Sequence, residues 1–465
     1  MAEALPPGKA GERRLRIDRE DQLRAARRGW VAWYGHPVRE GTMTAYEPLQ
    51  VPAQDNDALV YGFTPCEGGV CAAEGMLAAG ISAGFRRNPD RRDLALVVAR
   101  KTATCAATFT QNRFCAAPVQ VSRPRAAAGR ARAVVLNSGN ANASTGEQGV
   151  QVAEESARIV AQALGCAPEE VLVASTGVIG VPLAIDCFVT GVPSIVAQLA
   201  HSAEGAHNAA QAVMTTDTVA KEAAYAGQVS GRTVHVGGFV KGSGMIQPNM
   251  ATMLAVVSTD APLTASAAHA ALLDAVRSSF NKVTVDSDTS TNDSCFLFAT
   301  GEAGGEPIDE ASPDFPAVAA ALKAVCQDLA RKIAADGEGS TKLVTVDVLG
   351  AATPADAETV CRSICNSPLV KTAIFGHDAN WGRVAAAAGK CGVPFDQYQV
   401  DIDLLGVPVC RGGLTVPMDE ADMLSRFEDP EVKIAISLGM GESSCRMWTC
   451  DLTHDYVTIN GDYRT

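Results

Sequence analysis

The sequence predicts an α/β protein, on three observations. Short apolar runs rich in Val and Ala, such as Ala133–Leu136, Val171–Ala174 and Leu343–Val348, have the length and the polar boundaries of buried strands. Between them lie longer stretches whose apolar residues recur three and four apart, as in Val152–Leu164 and Pro316–Ala334, which marks helices with one apolar face. The chain has 465 residues, 47% hydrophobic and only 20% charged, enough apolar surface for roughly two or three ordinary domains.

The elements follow in order. Residues 1–61 read as an N-terminal extension, expected to be poorly ordered. Its first 42 residues are Arg-rich but carry Glu12, Asp18, Glu20, Asp21 and Glu40, unlike an acid-poor transit peptide; a short extension, or a true start at Met43, fits equally well. Two strands are expected at Asp93–Val98 and Thr104–Phe109, then a basic, proline-marked loop over Arg123–Arg132. Asn137–Gly146 (NSGNANASTG) is a turn of residues that bond their own backbone or tolerate positive φ, leading to the helix Val152–Leu164 with Gly165 as its C-cap. After the strand Val171–Ala174 comes Ser175-Thr176-Gly177-Val178-Ile179-Gly180. Strand, glycine turn and helix in that order either aim main-chain N–H groups at an anion or oxyanion, or form an ordinary connection.

Met214–Thr218 (MTTDT) precedes a pair of short strands around Thr233–Val236. The segment 241–260, KGSGMIQPNMATMLAVVSTD, begins as a glycine-punctuated turn and ends in the apolar strand Met253–Ser258. Thr252 is either an ordinary strand-opening residue or, if the Ala251–Thr252 bond is cut, a new N-terminus whose hydroxyl is nucleophile and whose amine is base. Thr264 caps an Ala-rich helix through Phe280, and Val283–Ser294 (VTVDSDTSTNDS) is a loop presenting polar side chains. Asp286, Asp288 and Asp293 depart from the calcium-loop spacing, so no metal is expected there. Glu338, in the loop DGEG, is either a solvated turn acid or a substrate ligand. Ala355–Ile364 is a further helix, Trp381 needs a packing partner, and the lone His377 reads as structural. The last 70 or so residues alternate like antiparallel strands at Val400–Leu405, Lys433–Leu438 and Arg446–Thr449.

Composition excludes several classes of function. A net charge of −13 lacks the basic footprint of a nucleic-acid or anionic-membrane binder, and no apolar run approaches the roughly 18 residues of a membrane span. The 14 cysteines are scattered, without a C-x-x-C pair, and read as free thiols of a cytoplasmic protein rather than a zinc site or disulfide framework.

The sequence closely resembles the glutamate N-acetyltransferase, or ornithine acetyltransferase, family of the cyclic arginine pathway, from about residue 62 onward. The resemblance rests on separated motifs in order: NSGNANA from Asn137, STGVIG from Ser175, MTTDT from Met214, KGSGMIQPNMATML from Lys241, DSDTSTNDS from Asp286, DGEGSTK from Asp336, NWGR from Asn380 and DYVTIN from Asp455. It implies a layered α/β sandwich of that family's own type. It also implies autocatalytic cleavage at Ala251–Thr252 into an α chain (62–251) and a β chain (252–465), assembling as an α2β2 heterotetramer. The implied reaction moves the acetyl group of N2-acetyl-L-ornithine to L-glutamate through an acetyl-Thr252 intermediate, without a cofactor. Acetyl-CoA is a possible second donor, which would add amino-acid N-acetyltransferase activity. Thr176 and Gly177 would form the oxyanion hole. Lys241, Glu338, Asn460, Thr465 and a Thr of MTTDT, Thr215 in preference to Thr216, would bind substrate. Gly461 stands after Asn460 where relatives commonly carry Ala.

A self-processing aminopeptidase or amidohydrolase would form a similar acyl-enzyme. A nucleotide-binding regulator is excluded, because neither KGSG nor STGVIG completes a phosphate-binding glycine motif.

Overall fold

A computed structural model describes residues 46–52, 57–247 and 253–462. Ala251, Thr252 and Thr465, and with them the expected nucleophile and cleavage site, lie outside the described residues. The architecture is α/β, with two sheets and helices layered against them.

The first sheet has nine strands: β1 (Thr64–Pro65), β2 (Met76–Ile81), β3 (Leu94–Phe109), β4 (Arg130–Asn140), β5 (Val171–Val178), β6 (Lys221–Val229), β7 (Arg232–Lys241), β8 (Leu254–Thr259) and β9 (Ser294–Ala299). They lie in the order β1-β6-β7-β8-β9-β3-β4-β5, with β2 also on β3; β4/β5 and β8/β9 are parallel pairs and the rest antiparallel. One apolar cluster draws Leu136 and Leu172 from β4 and β5 at one end of this order and Phe239 and Val256 from β7 and β8 within it. Fully buried Phe239, Phe296 and Phe298 contribute roughly 2 to 3 kcal/mol each to that core.

The helices accompanying this sheet are α1 (Asp57–Val60), α2 (Ala117–Ala126), α3 (Gly146–Leu164), α4 (Asp186–Ala197), α5 (Ala203–Ala212), α6 (Ala265–Arg277) and α7 (Phe315–Ala335). The second sheet comprises β10 (Leu343–Ala351), β11 (Asp401–Leu404), β12 (Val407–Arg411), β13 (Leu414–Thr415), β14 (Glu431–Ser437) and β15 (Ser443–Cys450), in the order β13-β12-β11-β14-β10-β15. Helices α8 (Pro354–Cys365), α9 (Pro368–Phe375), α10 (Trp381–Gly389) and α11 (Glu420–Arg426) share its core, and α12 (His454–Asp462) follows its last strand. Helix α7 touches β6 and β7 of the first sheet and β10 and β15 of the second, so the two sheets share its apolar faces.

Several expectations are corrected. The two strands expected at 93–98 and 104–109 are one strand, β3; its exposed middle, Arg100–Thr102, is a register irregularity rather than a turn. The expected basic loop at 123–132 is the end of α2 and the start of β4. Arg123 and Arg125 donate to the carbonyls of Thr110 (2.9 Å) and Val171 (2.7 Å), which gives these cations main-chain partners inside the fold. The short strands near 233–236 are the long hairpin β6–β7, and β14, expected among antiparallel strands, runs parallel to β10. Packing also begins before residue 62: Ala58 of α1 is fully buried and Asp57 pairs with Lys323 at 2.9 Å.

The connection between β7 and β8 carries the expected cut. These strands pair from Val236↔Thr259 to Lys241↔Leu254. A break in the connection would leave that ladder intact, which is a physical reason for two resulting chains to stay together.

Candidate active site

A cavity of about 590 Å³ opens where β5, β7 and the loops before β6, β9 and β10 converge. Its walls include Thr176, Gly177, Thr215, Thr216, Lys241, Glu338 and Asn460, every sequence-predicted site residue among those described. Met253, the residue after Thr252, also lines it. Residues separated by up to 284 positions in sequence, Thr176 and Asn460, thus meet at one place.

Thr176 and Gly177 close β5. The expected helix start is not there: the strand runs through Val178 and α4 begins only at Asp186. The glycine has a different cause. Gly177 sits at φ +134°, and a Cβ on it would fall 2.3 Å from the main-chain carbon of Gly139 on β4. Two glycine backbones in that contact leave room for no side chain. The strand end is braced from the far side of the expected cut: Asn292 Nδ2 donates to the carbonyls of Ser175 (2.8 Å) and Ala141 (2.6 Å), and Ser175 Oγ donates to Asn137 (2.6 Å). Sequence reasoning saw a polar loop here without its target.

The flanks of the expected cut are held by the same loop. Asp286 accepts the N–H groups of Met245 (2.6 Å) and Ile246 (2.8 Å), while Gln247 donates its N–H to the Asp288 carbonyl (2.7 Å) and accepts from the Thr289 hydroxyl (2.8 Å). On the other flank, Ser294 donates to the Met253 carbonyl at 2.9 Å. Met245 adopts a left-handed φ of +56°, a conformation held by these bonds at some steric cost.

Lys241 ends β7 half-buried at the cavity wall. Burial, aided by the nearby Lys221 charge, lowers its pKa from the ordinary lysine value against the opposing pull of Asp217, Glu338 and Asp293. Glu338 is buried; its carboxylate accepts from Asn460 Nδ2 at 2.7 Å, and its N–H donates to the Ser243 carbonyl at 3.0 Å. Gly244 permits this approach, since a Cβ there would lie 2.2 Å from the Glu338 carboxyl carbon. Thr215 is fixed through its main chain, which donates to Asp217 at 2.9 Å. Arg87 also lines the cavity and was not singled out in sequence, where no motif contains it.

No cluster of metal-ligating side chains occurs among the described residues, and none of the described helices is long and apolar enough to cross a membrane. His377 stacks on Phe427 at 5.4 Å, away from the cavity lining, and Trp381 packs against the core of the second sheet. All 14 cysteines are free thiols.

This cavity belongs to a chain with close relatives. The arginine biosynthesis bifunctional protein ArgJ of Symbiobacterium thermophilum is 49% identical over 399 residues, covering 86% of this chain and 99% of that one. A crystal structure of arginine biosynthesis bifunctional protein ArgJ from Bacillus halodurans is 40% identical, covers 46% of this chain and all of its own, and superposes with a TM-score of 0.45. One of ornithine acetyltransferase complexed with ornithine, from Mycobacterium tuberculosis, is 38% identical over 41% of this chain and all of its own, with a TM-score of 0.38. The model of the ArgJ family matches residues 77–465, and the chain belongs to that family.

Proposed function

We propose that this protein is a self-cleaving acetyltransferase of arginine biosynthesis, a glutamate N-acetyltransferase that moves the acetyl group of N2-acetylornithine to glutamate. In this reading it is bifunctional, as its ArgJ relatives are named, and acetyl-CoA serves as a second donor. The observation that carries the reading is the meeting of Thr176, Gly177, Thr215, Lys241, Glu338 and Asn460 in one cavity beside Met253.

The chemistry follows from those groups. Cleavage at Ala251–Thr252 frees an α-amine, whose ordinary pKa of about 8 suits a base at neutral pH. That amine takes the Thr252 hydroxyl proton as Oγ1 attacks the acetyl carbonyl. The tetrahedral oxyanion is stabilised by donors at Thr176 and Gly177, and its collapse breaks the C–N bond and releases ornithine, the leaving nitrogen taking the proton. Glutamate then attacks the acetyl-threonine through its amine and regenerates the hydroxyl. Lys241 meets the substrate carboxylate, a Thr of 215–216 orients it, and Glu338 with Asn460 and Thr465 holds the amino-acid end.

No resident cofactor is needed in this scheme, because nucleophile, base and oxyanion donors all come from the chain. We further assign an α2β2 assembly of the two cleaved chains in the cytoplasm.

The test uses purified protein and acetylornithine, with and without glutamate, alongside Thr252→Ala. Wild-type protein should show two fragments, the second beginning at Thr252, and release ornithine continuously only when glutamate is present, with no more than a single stoichiometric burst without it. Thr252→Ala should remain one chain and be inactive. Turnover by Thr252→Ala, or equal ornithine release without glutamate, would refute the transferase reading.

A further inference from the structure

Three lysines are buried among the described residues: Lys221, Lys342 and Lys371. Lys342 donates to the carbonyls of Phe427 and Asp429, and Lys371 to the Val285 carbonyl and the Thr449 hydroxyl. Lys221, at the start of β6, differs from both. Its ammonium lies between two carboxylates, Asp217 Oδ1 at 2.7 Å and Asp336 Oδ2 at 2.5 Å, and its side chain is 0% exposed.

Each carboxylate has a second task. Asp217 accepts the N–H of Thr215 (2.9 Å) and, with the oxygen that meets Lys221, the N–H of Gly242 (2.7 Å), the residue after Lys241. Asp336 accepts the N–H of Thr218 (3.1 Å) and its hydroxyl, while the Asp336 carbonyl accepts from Ser243 Oγ (2.7 Å). Ser243 in turn accepts the Glu338 N–H. The segments bearing Thr215, Lys241 and Glu338 therefore meet at one ammonium that lies outside the cavity lining.

We propose that Lys221 is a positioning residue for the substrate: by holding Asp217 and Asp336 together it fixes the three segments that present Thr215, Lys241 and Glu338 to the amino acid. Two carboxylates do not stay ionised and adjacent in a low-dielectric interior without a cation between them. Burial alone would raise the carboxyl pKa of Asp217, yet the positive charges of Lys221 and Lys241 hold it below the usual carboxylate range. Asp336 lies 115 residues from Lys221, on the far side of the expected cut, so in a cleaved enzyme this triad also joins the two chains beside the site.

The proposal rests on the substrate reading given above, and its test separates the two. Ornithine binding is measured by calorimetry, and transfer from acetylornithine to glutamate by steady-state kinetics. The proteins are wild type, Lys221→Met, Lys221→Arg and the charge-balanced double variant Lys221→Met/Asp336→Asn. Should Lys221→Met fail to fold, the double variant decides, since it removes one charge of each sign, leaves Asp217 within the attraction of the Lys241 charge and keeps an amide oxygen for Thr218. The expected result is a KM for both amino-acid substrates, and a Kd for ornithine, raised about tenfold or more, with kcat changed less than about threefold. Lys221→Arg should recover part of that loss. A folded double variant with wild-type KM and Kd values would overturn the proposal, as would a loss confined to kcat. Wild-type protein that binds no ornithine would overturn the substrate reading, and the proposal with it.

Discussion

Two clefts of similar size show what their charges are for. The first, about 590 Å³, is the candidate active site; the second, about 480 Å³, lies on the polar face of the second sheet between β10, β14 and β11. In the second, three arginines each meet an acid: Arg446 meets Asp347 at 2.6 Å, Arg331 meets Glu431 at 3.1 Å and Arg411 meets Asp403 at 2.7 Å. The chain itself enters that cleft, with the Leu49 N–H on Asp403 (2.6 Å) and the Pro52 carbonyl on Arg446 (2.8 Å). In the first, neutralisation is delegated. Asp217 takes its cation from Lys221, and Glu338 meets the neutral amide of Asn460, so Lys241 and Glu338 line an open cavity with charge to offer a ligand. Charges closed into ion pairs are architecture; charges that face an open cavity mark the candidate site.

The largest effect that would break this contrast is expected at Gly177. A methyl group there collides with the main chain of Gly139, and φ +134° strains any L residue. Gly177→Ala should displace the proposed oxyanion donors and lower kcat by roughly a hundredfold to a thousandfold, the range found on losing one such donor. The melting temperature and the ornithine Kd supply the control. A variant with near wild-type kcat would remove β5 from the catalytic machinery and leave the cavity a binding site only.

A smaller effect tests the charge of Lys241 directly. Its pKa is lowered, chiefly by burial, so the ammonium is lost at a pH where an exposed lysine is still charged. The sign follows: the carboxylate binding proposed for Lys241 is complete below that lowered pKa and fades as pH rises through it. KM for acetylornithine should therefore climb on the alkaline side with kcat little changed, and Lys241→Arg should shift the rise to higher pH. A KM profile with the same alkaline limb in Lys241→Arg would assign the titration to another group.

The contrast also explains how far the sequence could be read. Strands and helices with regular apolar spacing, such as α3, α7 and β10, were legible because local burial sets that spacing. The glycine turn at Thr176-Gly177 was legible as a special backbone but not in its cause, which is close packing against Gly139 rather than a helix start. Lys221 and Asp336 were missed because nothing local distinguishes a lysine that opens a strand from one that closes an ion triad with an acid 115 residues away. Asn460 entered through family resemblance, and its position follows from α12, which brings its amide onto Glu338. Thr252 likewise entered as nucleophile through family resemblance, its own chemistry leaving it open between a strand-opening residue and a new N-terminus, and it is the residue on which the Thr252→Ala experiment decides.

The smallest effect is expected in the second cleft, where paired charges should matter to stability alone. Arg446→Met removes the guanidinium from Asp347 and from the Pro52 carbonyl, at a cost of roughly 1 to 3 kcal/mol. Burial already raises the Asp347 pKa against the opposing pull of Arg446, and without that arginine it should rise further. An acid whose folded pKa lies above its unfolded value binds the proton more tightly when folded, so stability falls as pH climbs through that interval. The loss of melting temperature should accordingly be greater above the raised Asp347 pKa than below it. Meanwhile kcat/KM should stay within about twofold of wild type, because none of these groups lines the candidate active site. If turnover fell with the melting temperature held, the second cleft would be coupled to the first, and its paired charges would have to be counted as part of the site.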